Sequence, residues 1–295
     1  EVTYPKKSFL KKNKRKRIAI IVAGVIMNFL LAITAFAITY SFNGIPKETP
    51  DVKIIDISTS SPAQIAGLIV GDIVRKVNKI SISTNDEFIN LVDQSKGKKV
   101  TLEVERTVNS EKTTKKITLT PRENPPEGEG PLGVVITTTE IYYPPIYLRP
   151  FYGIYWGFKD AAFWGKNVVG GFIGIFANLF KGQVPEDIAG PVGIFALTSE
   201  ASKIGIFAVI NFIGILSVNL AILNVLPFPA LDGGRLFFIF LEGVIGKKVL
   251  PKVEAMVHTV GMIILLALLL AVTAHDIIRL IAGGGISGFL QGVIK

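Results

Sequence analysis

Three long apolar runs divide the chain. The first covers residues 18–42, which carry no charge, the second extends from 205 to 246, and the third begins at 257. A helix needs about 20 consecutive apolar residues to cross a bilayer core of about 30 Å. The pattern therefore predicts about three membrane-spanning helices, over residues 18–43, 205–246 and 257–281.

Residues 50–136 follow a different pattern. Apolar and polar positions alternate in short segments such as DVKIIDI and KKVTLEVER, and a period of two is typical of half-buried strands. Between these segments, Ser61, Pro62 and Gly67 predict a short helix with a cap, a first-turn proline and a glycine stop. We expect a soluble, mostly β domain, inserted between the first and second spans.

The segment 137–204 is dense in Tyr, Trp and Phe, with Lys159, Asp160 and Lys166 interspersed. Aromatic rings favour the headgroup depth of a membrane. We therefore expect this segment to lie on the membrane surface rather than to cross it.

Most of the net charge of +9 lies at one end. Residues 1–17 hold eight Lys/Arg and one Glu and directly precede the first apolar run. By the positive-inside rule this arm is cytoplasmic, and Lys247, Lys248 and Lys252 place the loop before the third span on the same side. No aromatic or groove-reading motif accompanies the charge, so no nucleic acid partner is expected. With no cysteine, neither disulfides nor thiolate ligands are available.

The second apolar run is interrupted by NVLPFPALDGGR, residues Asn224–Arg235. Pro227 and Pro229 remove backbone donors and break a helix. An ionised Asp232 at mid-membrane costs about 2.5–3.5 kcal/mol even on lenient scales, so it needs a partner or a function. Composition leaves three interpretations open: an intramembrane site, the ion or substrate site of a transporter, and a cytoplasmic turn.

The run SPAQIAGLIVGDIVRKVNKISI, residues Ser61–Ile82, resembles the PDZ domains of bacterial membrane proteases, with Val74 in place of Ile and Lys79 in place of Gly. GPLGVVI, residues Gly130–Ile136, resembles the strand that closes their carboxylate-binding loop. The resemblance implies that a peptide end binds as an added strand. The alternative is a steric plug with an empty groove. The implied groove residues are Gly67, Leu68, Leu132 and Gly133.

The order of residues in NVLPFPALDGGR matches the N-x-x-P-x-P-x-L-D-G pattern of the site-2 protease family of intramembrane zinc metalloproteases. SVNLAILN precedes it as in the regulator-of-sigma-E type, and GPVGI, residues Gly190–Ile194, resembles the family's G-P-x-x-I loop. The first span is similar to the family's second transmembrane helix, although Val25 stands where Pro is usual. The resemblance extends over almost the whole chain.

In that family two His of an H-E-x-x-H helix and the Asp of L-D-G bind the catalytic zinc, and the Glu is the general base. The resemblance implies that Asp232 is a zinc ligand. It also implies that Asn224 polarises or positions the substrate carbonyl and that Asn219 binds the substrate backbone. Pro227 and Pro229, with Gly233 and Gly234, would shape the unwound substrate pocket.

The sequence departs from the family in having no H-E-x-x-H. Its two histidines are His258 and His275, and neither has a second His four residues away. We interpret His258 as an interfacial residue and His275 with Asp276 as a polar pair on the exit side. Because the family's H-E-x-x-H helix precedes the basic arm, we expect the remaining zinc ligands upstream of residue 1. These residues alone are expected to bind zinc weakly and to lack proteolytic activity.

The sequence thus predicts a membrane α-helical chain with an inserted extracytoplasmic PDZ domain, multi-pass in a bacterial cytoplasmic (inner) membrane. We interpret it as the C-terminal part of a zinc-dependent intramembrane endopeptidase. Its expected partners are the lipid bilayer and a single-pass membrane substrate such as an anti-sigma factor or a signal peptide. The alternatives are a non-catalytic PDZ adaptor whose Asp232 pocket binds transmembrane helices, and a transporter, for which the sequence shows no internal repeat.

Overall fold

The computed structural model describes residues 13–108, 111–126, 128–181, 190–246, 249–282 and 285. Most of the predicted basic arm, together with Lys247 and Lys248, lies outside these residues. The chain divides into two compact units. A helical unit comprises Glu1–Ile45 and Tyr143–Lys295, and a sheet unit comprises Pro46–Tyr142.

The described part of the helical unit consists of long helices joined by short connections. They are α1 (Lys14–Asn43), α4 (Arg149–Phe180), α5 (Pro191–Ile204), α6 (Ile206–Val225), α7 (Asp232–Ile245) and α8 (Pro251–Ala282). The helices α2 (Pro62–Ile65) and α3 (Asn85–Asp93) belong to the sheet unit. In the described ranges, α1, α6 and α8 are long and apolar enough to cross a membrane.

The apolar stretch 205–246 forms the two helices α6 and α7 instead of one. Its contacts with α1 step steadily toward the start of α1: Phe207 with Phe42, Gly214 with Phe36 and Glu242 with Arg17. The two helices therefore run antiparallel to α1. Since a helix rises about 1.5 Å per residue, the break between them lies well inside the uncharged length of α1.

A buried ion pair fixes the far end of α7. Arg17 Nη1 lies 3.0 Å from Glu242 Oε2, and both side chains are almost completely buried. Lys14 Nζ donates a hydrogen bond to the Glu242 carbonyl oxygen at 3.0 Å. Breaking a buried pair strands a charge and costs about 3–5 kcal/mol. The pair therefore holds the last turns of α7 against the first turn of α1.

The aromatic segment forms α4, which packs lengthwise on α1 through small residues. A Cβ added at Gly157 would lie 2.6 Å from the Ile33 carbonyl oxygen and 2.9 Å from the Ala37 nitrogen. Such faces let helix backbones approach closely in a membrane. The small residues of this face recur every four positions: Gly153, Gly157, Ala161 and Gly165.

A polar contact adds to this packing. The Tyr40 hydroxyl of α1 donates a hydrogen bond to the Asp160 carboxylate of α4 at 2.6 Å. For residues 137–204 the sequence suggests a position on the membrane surface. In the structure, the first half of α4 lies against α1, because its glycine face fits the α1 backbone and Asp160 accepts a hydrogen bond from Tyr40 there. The position of this segment relative to the membrane stays a prediction.

The sheet unit contains a six-stranded sheet in the order β5-β4-β2-β1-β6, with β3 beside β2. Val74 of the second strand pairs with Val52 on one side and Val104 on the other, both antiparallel. The predicted segments DVKIIDI and KKVTLEVER lie in the first and fourth strands. The strands are β1 (Ile45–Ile57), β2 (Ile73–Val77), β3 (Ile80–Ser81), β4 (Val100–Val108), β5 (Glu111–Leu119) and β6 (Val134–Tyr142).

The short helix and the turn after it are fixed by polar side chains. Ser61 caps α2 by accepting a hydrogen bond from the Gln64 N–H, as its sequence pattern predicts. The carboxylate of Asp72 is fully buried and accepts two hydrogen bonds from Arg106, at 2.7 and 2.8 Å. This pairing raises the pKa of the Arg106 guanidinium, chiefly through the hydrogen bond to Asp72. The turn before β2 is thereby tied to β4.

The packing of α4 on α1 is tested by two alanine substitutions in one helix. Gly157→Ala should destabilise the chain by about 1–3 kcal/mol, because its Cβ meets the α1 backbone. Gly170→Ala meets no atom within 4 Å and should be neutral or stabilise by up to about 1 kcal/mol. Thermal unfolding in detergent measures both, and equal effects would contradict this packing.

Candidate functional site

Residues 226–231 form a non-helical connection between α6 and α7. Pro227 and Pro229 have no N–H to continue a helical ladder. Ala230 has φ +82°, a left-handed conformation that is uncommon for a residue other than glycine. The two prolines predict a break at this point, and the structure places it between α6 and α7.

The first turn of α7 folds tightly against this connection. A Cβ at Gly233 would overlap the Leu226 carbonyl oxygen, and one at Gly234 would lie 2.5 Å from the Phe228 carbonyl oxygen. Both glycines are buried. The paired glycines are therefore required because backbone meets backbone there.

Asp232 is the first residue of α7 and is half-buried. The partial positive charge of a helix N-terminus stabilises a carboxylate at this position. Asn224 lies in the last turn of α6 and Asn219 earlier in the same helix, both half-buried. In the part of the chain that the structure describes, the hydrogen bonds involve none of these three side chains. Their polar groups remain available to a ligand.

Helix α8 covers the connection from another side. Ala230 donates its backbone N–H to Nδ1 of His258 at 3.0 Å. A Cβ at Gly261 would lie 2.8 Å from the Pro229 carbonyl oxygen. The sequence suggests an interfacial role for His258, whereas the structure places it against the motif. Sequence reasoning missed this contact, because Ala230 and His258 lie 28 residues apart in the chain.

Asp276, interpreted from sequence as an exit-side polar group, caps the N-terminus of α5. Its fully buried carboxylate accepts hydrogen bonds from the N–H groups of Gly190 and Gly193, both at 2.9 Å. A helix N-terminus favours such a carboxylate. A Cβ at Gly190 would lie 2.6 Å from Val272, so the glycine of the G-P-V-G-I loop permits close packing on α8.

A separate groove of about 240 Å³ lies in the sheet unit, between α3 and the edge strand β6. Helix α3 is fixed by a capping box, in which Thr84 and Glu87 bond each other's backbone N–H groups. A backbone hydrogen bond from Ser83 is the main cause that lowers the pKa of Glu87. The residues lining the groove are mostly apolar: Phe88, Ile89, Val92, Asp93, Gly130, Pro131, Leu132, Val134 and Ile136.

Of the four groove residues implied by resemblance, Leu132 lines this groove. Gly133 is its chain neighbour, with φ +69°, and an added Cβ would overlap Ser61. Gly67 lies elsewhere, where its carbonyl accepts a hydrogen bond from Arg106, and Leu68 belongs to the core. The glycine-leucine pair thus forms the turn after α2, outside the groove.

Sequence reasoning missed that α3 lines one side of the groove and that β6 lines the other. Phe88 and Val92 are four residues apart, and therefore share one face of α3. Leu132, Val134 and Ile136 alternate along the chain. These two periodicities were visible in the sequence and could have identified the groove.

The described residues do not complete a metal site. Within the ranges that the structure describes, no three His, Cys, Asp or Glu side chains come together to hold a metal ion. A catalytic zinc takes three protein ligands. Asp232 is half-buried and has no hydrogen-bond partner among the described residues.

The chain belongs to peptidase family M50, the site-2 protease family, whose sequence profile matches residues 2–268. The resemblance inferred from NVLPFPALDGGR is thereby confirmed. The members of this family are membrane zinc metalloproteases.

Individual relatives carry the same description. The chain is 34% identical over 289 residues to the zinc metalloprotease RasP of Oceanobacillus iheyensis, covering 93% of this chain and 62% of that protein. RasP of Geobacillus kaustophilus is 34% identical over 274 residues, with 92% and 61% covered. RasP of Shouchella clausii is 33% identical over 277 residues, with 93% and 62% covered. The chain therefore spans about three fifths of the length of these curated relatives.

The tight turn at Asp232 is tested within α7. Gly233→Ala should cost about 1–3 kcal/mol and loosen the turn, because its Cβ overlaps the Leu226 carbonyl. Gly243→Ala meets nothing within 4 Å and serves as the control. Limited trypsin digestion in detergent, scored at the exposed Arg235, should be faster for Gly233→Ala alone. Unchanged digestion in both variants would contradict the described turn.

Proposed function

We propose that this chain is the C-terminal part of a zinc-dependent intramembrane metalloendopeptidase. The observation that carries the proposal is Asp232, a half-buried carboxylate at a helix N-terminus, inside a broken pass that lies along a membrane-length helix. An ionisable group at such a depth is a functional-site hypothesis by default. Membership of family M50 supports a role for that carboxylate as a metal ligand.

The remaining ligands are proposed to be the two His of an H-E-x-x-H helix upstream of residue 1. The coverage of about three fifths of the RasP relatives supports this, because it leaves room for further sequence in the complete protein. Zinc, when bound, activates water for attack on a peptide carbonyl. In this chain Asp232 would hold the metal.

The substrate would bind along the end of α6 and the connection after it. Asn224 would orient the carbonyl to be attacked, and Asn219 would bond the extended substrate backbone. A substrate helix must unwind before its peptide bonds can be reached. The non-helical residues around Pro227 and Pro229 offer a surface for an extended chain, because they are not committed to a helical ladder.

We further infer that the sheet unit is a PDZ domain on the extracytoplasmic side. Its edge strand β6, facing α3 across an apolar groove, is the arrangement that binds a peptide by strand addition. The basic residues at the start of α1 favour a cytoplasmic location for that end. The chain then enters the sheet unit after crossing to the other side.

The proposed substrate is a single-pass membrane protein that an earlier cut has already shortened outside, such as an anti-sigma factor or a leftover signal peptide. The PDZ groove would read the trimmed end or exclude untrimmed chains. The protein would work as a multi-pass component of a bacterial cytoplasmic membrane.

The role of Asp232 is tested in the protein made from the complete reading frame. Asp232→Asn should abolish cleavage of a single-pass substrate and lower the bound zinc, because the amide is a much weaker ligand than the carboxylate. Glu200→Gln, which removes an exposed pair with Lys203, should leave both unchanged. A reading frame without H-E-x-x-H, or full zinc content in Asp232→Asn, would overturn the proposal in favour of a non-catalytic PDZ adaptor.

The groove is tested with two isoleucines that are both exposed to solvent, Ile89 at 47% and Ile65 at 80%. Ile89→Glu places a charge in the apolar groove, whereas Ile65→Glu lies on α2, outside it. We expect Ile89→Glu to weaken binding of a fluorescent peptide with an apolar, free C-terminus by about ten-fold or more, with Ile65→Glu unchanged. The same peptide with an amidated end should bind less well. Absence of binding by the unmodified chain would support the steric-plug alternative.

A further inference from the structure

His258 lies in the second turn of α8, with its ring against the break between α6 and α7. Its Nδ1 accepts the Ala230 N–H at 3.0 Å. A Cβ at Gly234 would lie 3.3 Å from its Cε1, and the Phe238 ring centroid is 5.9 Å away. One imidazole therefore contacts residues on both sides of Asp232.

The donor of this hydrogen bond is Ala230, the residue of the connection 226–231 that has a left-handed backbone conformation. Ala230, two residues before Asp232, follows Pro229 and has φ +82°. The left-handed region costs free energy for an L-residue that carries a Cβ. Such a conformation persists only where the surroundings over-determine it. The acceptor that His258 offers is the contact that satisfies the Ala230 N–H.

The protonation pattern of the ring follows from this bond. An imidazole nitrogen that accepts a hydrogen bond carries no proton, so the neutral ring carries its proton on Nε2. Nε2 is buried and has no hydrogen-bond partner within the described ranges. The ring therefore sits here despite an unsatisfied N–H, which indicates that the Nδ1 bond and the ring packing determine its place.

A second contact of α8 lies one turn further along. Gly261 allows the helix to touch Pro229, because any larger residue would clash with the Pro229 carbonyl. His258 and Gly261 thus hold two successive residues of the connection, Pro229 and Ala230. The chain enters α7 at Asp232 only two residues later.

We propose that His258 is a positioning residue that holds Ala230 in its left-handed conformation and thereby fixes the place of Asp232. Only the expected effect on cleavage rests on the proposed function; the structural role of His258 does not. His258 itself need not touch substrate or metal. Its role is to present one acceptor atom, Nδ1, to the backbone N–H of Ala230, two residues before α7 begins.

The test uses substitutions that separate the acceptor from the volume of the ring. His258→Asn keeps an oxygen near the position of Nδ1, whereas His258→Phe keeps the ring and removes the acceptor. In the protein from the complete reading frame, His258→Phe should lower kcat about ten-fold or more with KM little changed, since small misplacements cost large rate factors. His258→Asn should recover most of that loss. Equal loss in both variants would overturn the proposal.

A double variant distinguishes loss of the hydrogen bond to Ala230 from simple misfolding. Glycine adopts φ +82° without a Cβ penalty. In an Ala230→Gly background, His258→Phe should therefore cost much less than it does in the original chain. An undiminished loss would show that the histidine acts through packing alone, and would overturn the proposal.

¹⁵N NMR of the histidine rings tests the hydrogen bond between His258 and Ala230 without a cleavage assay. The 295-residue chain contains two histidines, so ¹⁵N-labelled histidine gives two sets of ring signals. We expect one set, lost in His258→Phe, to show the Nε2–H form with a hydrogen-bonded Nδ1. The Nδ1–H form would overturn the inference. If this signal is as expected but the complete protein cleaves nothing, the proposed function fails and the positioning role stands.

Discussion

Lipid offers no water to backbone groups, so a helix that breaks inside a membrane must have its broken part covered by protein or by a wet cavity. The proposed intramembrane site depends on that constraint. The connection at residues 226–231 is covered by the first turn of α7 and by α8, while α1 runs beside both α6 and α7. At the proposed intramembrane position, removal of these contacts would expose unpaired backbone to hydrocarbon.

The cover is built largely from glycines and from a few buried polar pairs. Gly233, Gly234 and Gly261 allow backbone to meet backbone around the break. The Arg17–Glu242 pair holds the end of α7, and Asp276 ties α8 to the start of α5. Glu242 and Asp276 each have a carboxylate oxygen that accepts a hydrogen bond from its partner. Asp232 differs from them because it is half-buried and has no such partner among the described residues, which is what a ligand site requires.

The sequence alone predicted the features that local chemistry determines. Apolar runs predicted α1 and α8, the two prolines predicted the break, and Ser61 predicted the cap of α2. Contacts between distant residues were beyond such reasoning. His258 meets Ala230 across 28 residues and Asp276 meets Gly190 across 86, and no local pattern encodes either partner. The PDZ resemblance places Gly67 and Leu68 in the peptide groove. In the structure, these two residues form the turn after α2.

The depth of the break in the bilayer tests the account most directly. The chain has no cysteine, so a nitroxide attached to Val225→Cys, an exposed residue at the end of α6, is the only label. In lipid vesicles, oxygen should relax this label far more effectively than a water-soluble nickel complex, with the reverse at Lys252→Cys. If the nickel complex reaches both labels equally, residues 226–231 form a turn in water, and the intramembrane site that the account requires does not exist.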